Sequence, residues 1–143
     1  MRIHFYKLHL GGNSFILIDT ESKKDLKLSE YPEISKSICN RRYGVGASGC
    51  IFLDEKNDMR VYRPDGTEAS DFYDALFCAA RYAFDSGRMN KNSHGEYEIR
   101  FNTLKGEKIL KELDEVLLEE EITGEEKLTE IDAIKKDGSI KTE

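Results

Sequence analysis

Apolar and polar residues alternate along this chain with two periods, and each period marks an element. Across Arg2–Leu10, Ile3 and Phe5 alternate with His4 and Tyr6, the two-residue repeat of a half-buried strand. Gly11-Gly12-Asn13 breaks that run and Phe15-Ile16-Leu17-Ile18 follows, so two strands around a tight glycine turn are expected. Ser29 to Arg42 reads as a short helix: Pro32 suits its first turn, and Ile34 and Ile38 share a face four residues apart. The glycine-rich bend Gly44–Gly49 leads into a strand, Cys50–Leu53, which returns through the polar loop Asp54–Asp58 as Met59–Tyr62. Pro64-Asp65-Gly66 signals a turn, because proline fixes φ and glycine accepts a positive one. Glu96–Leu104 places Tyr97, Ile99, Phe101 and Thr103 on one face before Lys105-Gly106 turns the chain again.

The most informative stretch is Asp71–Asp85. Ser70 or Asp71 can cap its start and Gly87 can end it. From Phe72 to Phe84 only Asp74 and Arg81 are neither apolar nor small. A helix that is apolar all round has to be enclosed. The reading adopted is one curved sheet wrapping this helix; two sheets on different sides of it ask for almost the same pattern. After Gly106 the pattern weakens. Ile109–Leu118 suits a strand pair or a helix, and Lys127–Glu143 suits one added hairpin or a loose tail.

Charge sharpens the division. The chain has 143 residues, the common size of one domain. Residues 1–106 carry 16 basic and 15 acidic side chains, whereas residues 107–143 carry 6 and 13. The expected organisation is therefore one domain over residues 1–113 and an acidic C-terminal segment over 114–143. Neither part is the basic surface that nucleic-acid binding requires, so no nucleic acid is expected. Three cysteines without C-x-x-C spacing argue against a metal cluster or a disulfide framework. With no signal peptide and no apolar run near 20 residues, no membrane association and a reducing, cytoplasmic location are expected.

Three ordered segments resemble the N-terminal half of diaminopimelate epimerase. Lys7-Leu8-His9-Leu10-Gly11-Gly12-Asn13-Ser14-Phe15 matches an opening motif of the K-M-H-G-L-G-N-D-F type. Cys39-Asn40-Arg41-Arg42-Tyr43-Gly44-Val45-Gly46-Ala47-Ser48-Gly49 matches a C-D-R-x-x-G-I-G-A-D-G type. Met59-Arg60-Val61-Tyr62-Arg63-Pro64-Asp65-Gly66-Thr67-Glu68-Ala69 matches an M-R-I-F-N-A-D-G-S-E-A type. The resemblance covers about residues 1–112 and implies an α+β fold, a diaminopimelate-epimerase-like half with a strongly curved, mostly antiparallel sheet around one central helix. The family implied is a cofactor-free amino-acid epimerase, which moves the α-proton between two thiols, so no cofactor is expected.

The departures from the motif bear on function. Where the family's central helix opens with C-G-N-G-x-R-C, this chain reads Phe72-Tyr73-Asp74-Ala75-Leu76-Phe77-Cys78. Phe72 stands at the position of the acid/base cysteine and can neither give nor take a proton, so no catalytic residue is assigned. The Gly-Asn-Gly that lets a carboxylate reach the helix N–H groups is replaced by Tyr73 and Asp74, which add bulk and negative charge. The resemblance keeps Asn13 as a substrate-holding asparagine, and puts Arg63 where a second asparagine stands and Gly49 where some members place glutamine. Asn13, Gly49, Arg63, Tyr73 and Asp74 are thus the candidate binding residues for a small amino-acid ligand. Cys78, Cys39 and Cys50 read as core thiols, Cys50 being the one nearest the expected site. The chain supplies one half of the family's two-half architecture, so a homodimer is expected to cover the face at Phe72 and Tyr73. The function expected is a non-catalytic binding or assembly role. The alternative is an epimerase or racemase working as a homodimer or with a separate second half.

Overall fold

The computed structural model describes residues 3–22, 24–70, 73–111 and 129–132. Nine strands and two α-helices lie along them: β1 (His4–Leu10), β2 (Asn13–Asp19), α1 (Tyr31–Cys39), β3 (Gly49–Leu53), β4 (Met59–Tyr62), β5 (Glu68–Ala69), α2 (Tyr73–Asp85), β6 (Asn90–Lys91), β7 (Tyr97–Thr103), β8 (Gly106–Lys111) and β9 (Thr129–Asp132). They form a six-stranded sheet of order β5-β4-β3-β2-β1-β9 and a three-stranded sheet of order β6-β7-β8.

The first sheet begins with the glycine turn. Gly11 and Gly12 take φ of 55° and 89°, a two-residue reversal that only glycine adopts without strain, and Leu10 pairs Asn13 across it. β2 is buried on both faces from Ser14 to Ile18, because α1 covers one side of the sheet and α2 the other. Its central place also explains the one parallel pairing, β2 with β3. Every other pairing is antiparallel. α1 is shorter than its sequence pattern. Asn40 leaves the helical region at ψ 122°, and its Oδ1 accepts the Arg42 and Tyr43 N–H groups. β9 carries residues of the acidic C-terminal segment onto the free edge of β1. The boundary expected at residue 113, and the rest of the hairpin-or-tail segment, lie outside the described residues, as do Asp71 and Phe72.

α2 lies in one core with both sheets: Leu17, Ile51 and Val61 from the first, Ile99, Phe101 and Leu110 from the second. Two separate sheets sharing a core with the helix therefore replace the single strongly curved sheet, a correction to the reading adopted from the sequence. The enclosure is also partial. Ala75, Ala79, Ala80 and Ala83 are fully buried, whereas Leu76 and Phe77 are half-buried and Tyr73 and Phe84 are exposed. The buried face is one of small side chains, which let the helix backbone approach the sheets. Gly87, at φ 79°, ends the helix: its N–H bonds the Phe84 carbonyl and the Arg88 N–H bonds the Ala83 carbonyl.

The far end of α2 is fixed by a polar cluster. Tyr82 Oη donates to Asp19 Oδ2 at 2.6 Å, and Arg88 Nη2 donates to the same oxygen at 2.7 Å. Arg88 Nη1 reaches the Asp54 carbonyl at 2.7 Å and Asn57 Oδ1 at 3.1 Å. Burial, then the hydrogen bond and charge of Asp19, push the Tyr82 phenol well above its ordinary range. No helix among the described residues is long and apolar enough to cross a membrane.

Candidate functional site

Strand directions gather most of the candidate residues at one end of the first sheet. β2 and β3 start there because they are parallel, with Phe15 opposite Gly49. β4 ends there, since it runs against β3 and sets Tyr62 opposite Cys50. The first turn of α2 reaches the same end, where Asn13 Nδ2 donates to Asp74 Oδ2 at 2.7 Å. Residues 61 apart in sequence are thus joined by a single bond across the β1–β2 turn and the helix start. Two serines that sequence reasoning passed over tie the same corner. The Ser48 N–H bonds the Ser14 carbonyl at 2.8 Å, and Ser48 Oγ accepts the Ser14 N–H at 3.1 Å. Both sit inside the quoted motifs, which was the only signal available for them.

The other candidates contribute differently. Arg63 folds back along its own turn, Nη1 reaching Thr67 Oγ1 at 3.3 Å and the Glu68 carbonyl at 3.1 Å. Gly49 offers backbone alone. A Cβ there would lie 3.1 Å from Phe15 Cε1 and 3.1 Å from the Tyr62 carbonyl oxygen, a tight fit that needs these neighbours to shift by a few tenths of an ångström. Tyr73 is 72% exposed, which places its ring on the surface of this end rather than in the core.

The thiols stand apart from that corner chemically. Cys50 is wholly buried on the α1 side of the sheet beside Cys39 and Ser35. Burial first, then the neighbouring Cys39, hold its thiol well above the ordinary range, which keeps it protonated and unreactive. Cys78 is buried on α2 in the opposite core. His4 and His94 are exposed and His9 is half-buried. Among the described residues no group of three His, Cys, Asp or Glu converges so as to hold a metal ion.

Chemically, the corner sets a carboxylate, Asp74, in the first turn of a helix. Free N–H groups in a first helical turn attract anions. Asp74 supplies that charge internally, and the Asn13 amide bonds it from the side.

No family model matches the sequence. Individual relatives do. The diaminopimelate epimerase of Methanothrix thermoacetophila is 39% identical over 94 residues, 63% of this chain and 34% of that protein. The Pelotomaculum thermopropionicum enzyme is 34% identical over 122 residues, 82% of this chain and 40% of that one. The Synechococcus enzyme is 40% identical over 110 residues, 73% and 36%. Among solved structures, a phenazine biosynthesis protein of the PhzF family from Bacillus anthracis gives a TM-score of 0.43 at 16% identity, over 69% of this chain and 38% of that one. The chain spans between 34% and 40% of the length of these curated relatives. Over that part of their length, this chain is a homologue of the diaminopimelate epimerases.

Proposed function

We propose that this chain is a diaminopimelate-epimerase-like protein whose role is binding or assembly rather than proton transfer. The observation that carries the reading is the 2.7 Å bond from Asn13 to Asp74. The asparagine that the family resemblance assigns to substrate is engaged instead by Asp74, a carboxylate in the first turn of α2. Phe72, in place of the acid/base cysteine, supports the same reading: two-base epimerisation needs an ionisable group on each face of the α-carbon. The exposed Tyr73 gives this end of the domain an aromatic surface, which suits pairing with a second copy of the chain.

The identity to working epimerases favours a second reading, a cofactor-independent epimerase or racemase completed by a homodimer or a separate second half. Proton exchange separates the two. The purified chain is incubated with LL- or meso-diaminopimelate in deuterated water and α-deuterium uptake is followed by mass spectrometry. The expected uptake equals that of a heat-treated control; uptake clearly above it overturns the proposal. Phe72→Cys alone is expected to leave exchange at the control level, because Tyr73 and Asp74 still occupy the helix start.

A further inference from the structure

On the α1 side of the first sheet, where β3 ends and β4 begins, lies a cleft of about 270 Å³. It is lined by Leu28, Tyr31, Phe52, Asp54, Asp58 and Arg60. That volume is just under the roughly 300–1,000 Å³ of sites for larger ligands, so it suits a molecule of amino-acid size. The Asn13–Asp74 corner is at the other end of the sheet, where β3 starts.

Strand pairing explains why these residues share a face. Phe52 stands opposite Arg60 in the β3–β4 register, so both side chains project from one side of the sheet. Asp54 follows Phe52 by two residues and Asp58 precedes Arg60 by two, which continues that side into the hairpin loop. Tyr31, at the start of α1, stacks on Phe52 with ring centroids 3.9 Å apart, and the exposed Leu28 stands just before it.

The partners of the charged groups decide what the cleft presents. Arg60 donates through Nη1 to Glu68 Oε1 and Oε2 at 3.1 Å each. Its Nε–Nη2 edge, a fork that can take a carboxylate in two parallel bonds, donates to no carboxylate among the described residues. Asp54 Oδ1 caps the loop by accepting the Lys56 and Asp58 N–H groups, and Asp58 Oδ1 accepts Asn102 Nδ2. The second oxygen of each aspartate has no hydrogen-bond partner among the described residues. Glu55, on the same loop, is paired with Lys24.

Asp54 and Arg60 also act on one hydroxyl. Burial is the largest reason that the Tyr31 phenol lies above its ordinary pKa; the Thr20 hydroxyl lowers it, Asp54 raises it and Arg60 lowers it. An acid and a guanidinium therefore flank the same ring. Two carboxylates against one guanidinium disfavour a simple anion, whereas a simple cation would leave the arginine fork unused. A ligand that carries both charges satisfies both.

We propose that this cleft binds a free amino acid as its zwitterion. The ammonium meets Asp54, with Asp58 beside it, the carboxylate meets the Nε–Nη2 fork of Arg60, and an apolar side chain lies against Tyr31 and Leu28.

Backbone amide NMR on the full chain tests it, with L-leucine and two single-charge analogues of the same skeleton, 3-methylbutylamine and 4-methylpentanoate. Leucine is expected to give saturable shifts confined to residues around Leu28, Tyr31, Asp54 and Arg60. Each analogue is expected to bind about tenfold more weakly, having lost one charge-assisted contact. Asp54→Asn keeps the Oδ1 acceptor of the loop and removes the carboxylate; Arg60→Lys keeps the charge and removes the fork. Each variant is expected to weaken leucine binding about tenfold, and Asp54→Asn to keep the wild-type spectrum elsewhere. The amine or the acid binding as tightly as leucine, shifts centred on Asn13 and Tyr73, or wild-type affinity in either variant would each overturn the assignment.

Discussion

Replacing Arg88 by methionine tests how α2 is fastened to the first sheet. The substitution keeps an apolar stem of similar length and removes the guanidinium. Arg88 and Asp19 each retain only 15% side-chain exposure, so their ion pair is largely withdrawn from water. Removing one member of a buried pair costs about 3–5 kcal/mol, because the other charge is left behind. Here Asp19 would keep the Tyr82 hydroxyl at 2.6 Å and the Glu21 N–H at 3.0 Å, which places the loss near the lower limit, about 3 kcal/mol. For a chain of this size that corresponds to a fall in Tm of about 10 °C. Urea denaturation followed by circular dichroism measures it, and a cycle with Asp19→Asn isolates the pair from the packing of the stem. Tyr82 gives a second readout. Its folded-state pKa is raised, so its contribution is fully present below about pH 10, the ordinary phenol value. That contribution is lost as pH rises beyond it, because the unfolded chain releases the proton first. Tyr82→Phe should therefore lose stability more shallowly above pH 10 than the wild type. A loss below about 0.5 kcal/mol for Arg88→Met, the size of an ordinary surface substitution, would refute the cluster as the anchor of this helix.

Gly49→Ala is expected to destabilise by about 1–3 kcal/mol, since the added methyl meets a ring and a backbone carbonyl at 3.1 Å; an unchanged denaturation midpoint would show that Phe15 can move aside. Ala79→Leu should cost a similar 1–3 kcal/mol by forcing α2 away from the sheets, whereas Tyr73→Ser, at an exposed position, should leave the midpoint within about 0.5 kcal/mol. Light scattering is expected to find a dimer for the wild type and a larger monomer fraction for Tyr73→Ser. A wild-type monomer at high concentration would exclude pairing through this face.

The elements legible in the sequence are those with one face toward solvent. β7 alternates because Ile99 and Phe101 enter the core while Arg100 and Asn102 do not. The Ile34/Ile38 pair likewise marks the buried face of α1. β2 gives no alternation, being buried on both sides; the glycine turn made its pairing with β1 legible, but its parallel partner β3 was beyond reach of the pattern. β5 and β6 are two residues each, too short for any period. The α2 pattern misled in a definite way: alanine counts as apolar, yet what Ala75, Ala79, Ala80 and Ala83 specify is close approach on one side, not burial all round. At the candidate site, motif matching supplied the residues but not their contacts. Nothing local in the chain says that Asn13 will spend its amide on Asp74.

Both ends of α2 follow one electrostatic rule with opposite consequences. A helix favours negative charge at its first turn and positive charge after its last, by about 0.3–1 kcal/mol at each exposed position. Asp74 meets the first preference and Arg88, just beyond Gly87, the second. At the start, the stabilising carboxylate is also the group that accepts the Asn13 amide. At the finish, the stabilising cation is neutralised by Asp19, and it also holds the Asp54 carbonyl and Asn57 Oδ1 of the β3–β4 hairpin. One helix thus carries at each end a charge that suits its dipole, and each charge is engaged by a neighbouring strand or hairpin rather than left to solvent.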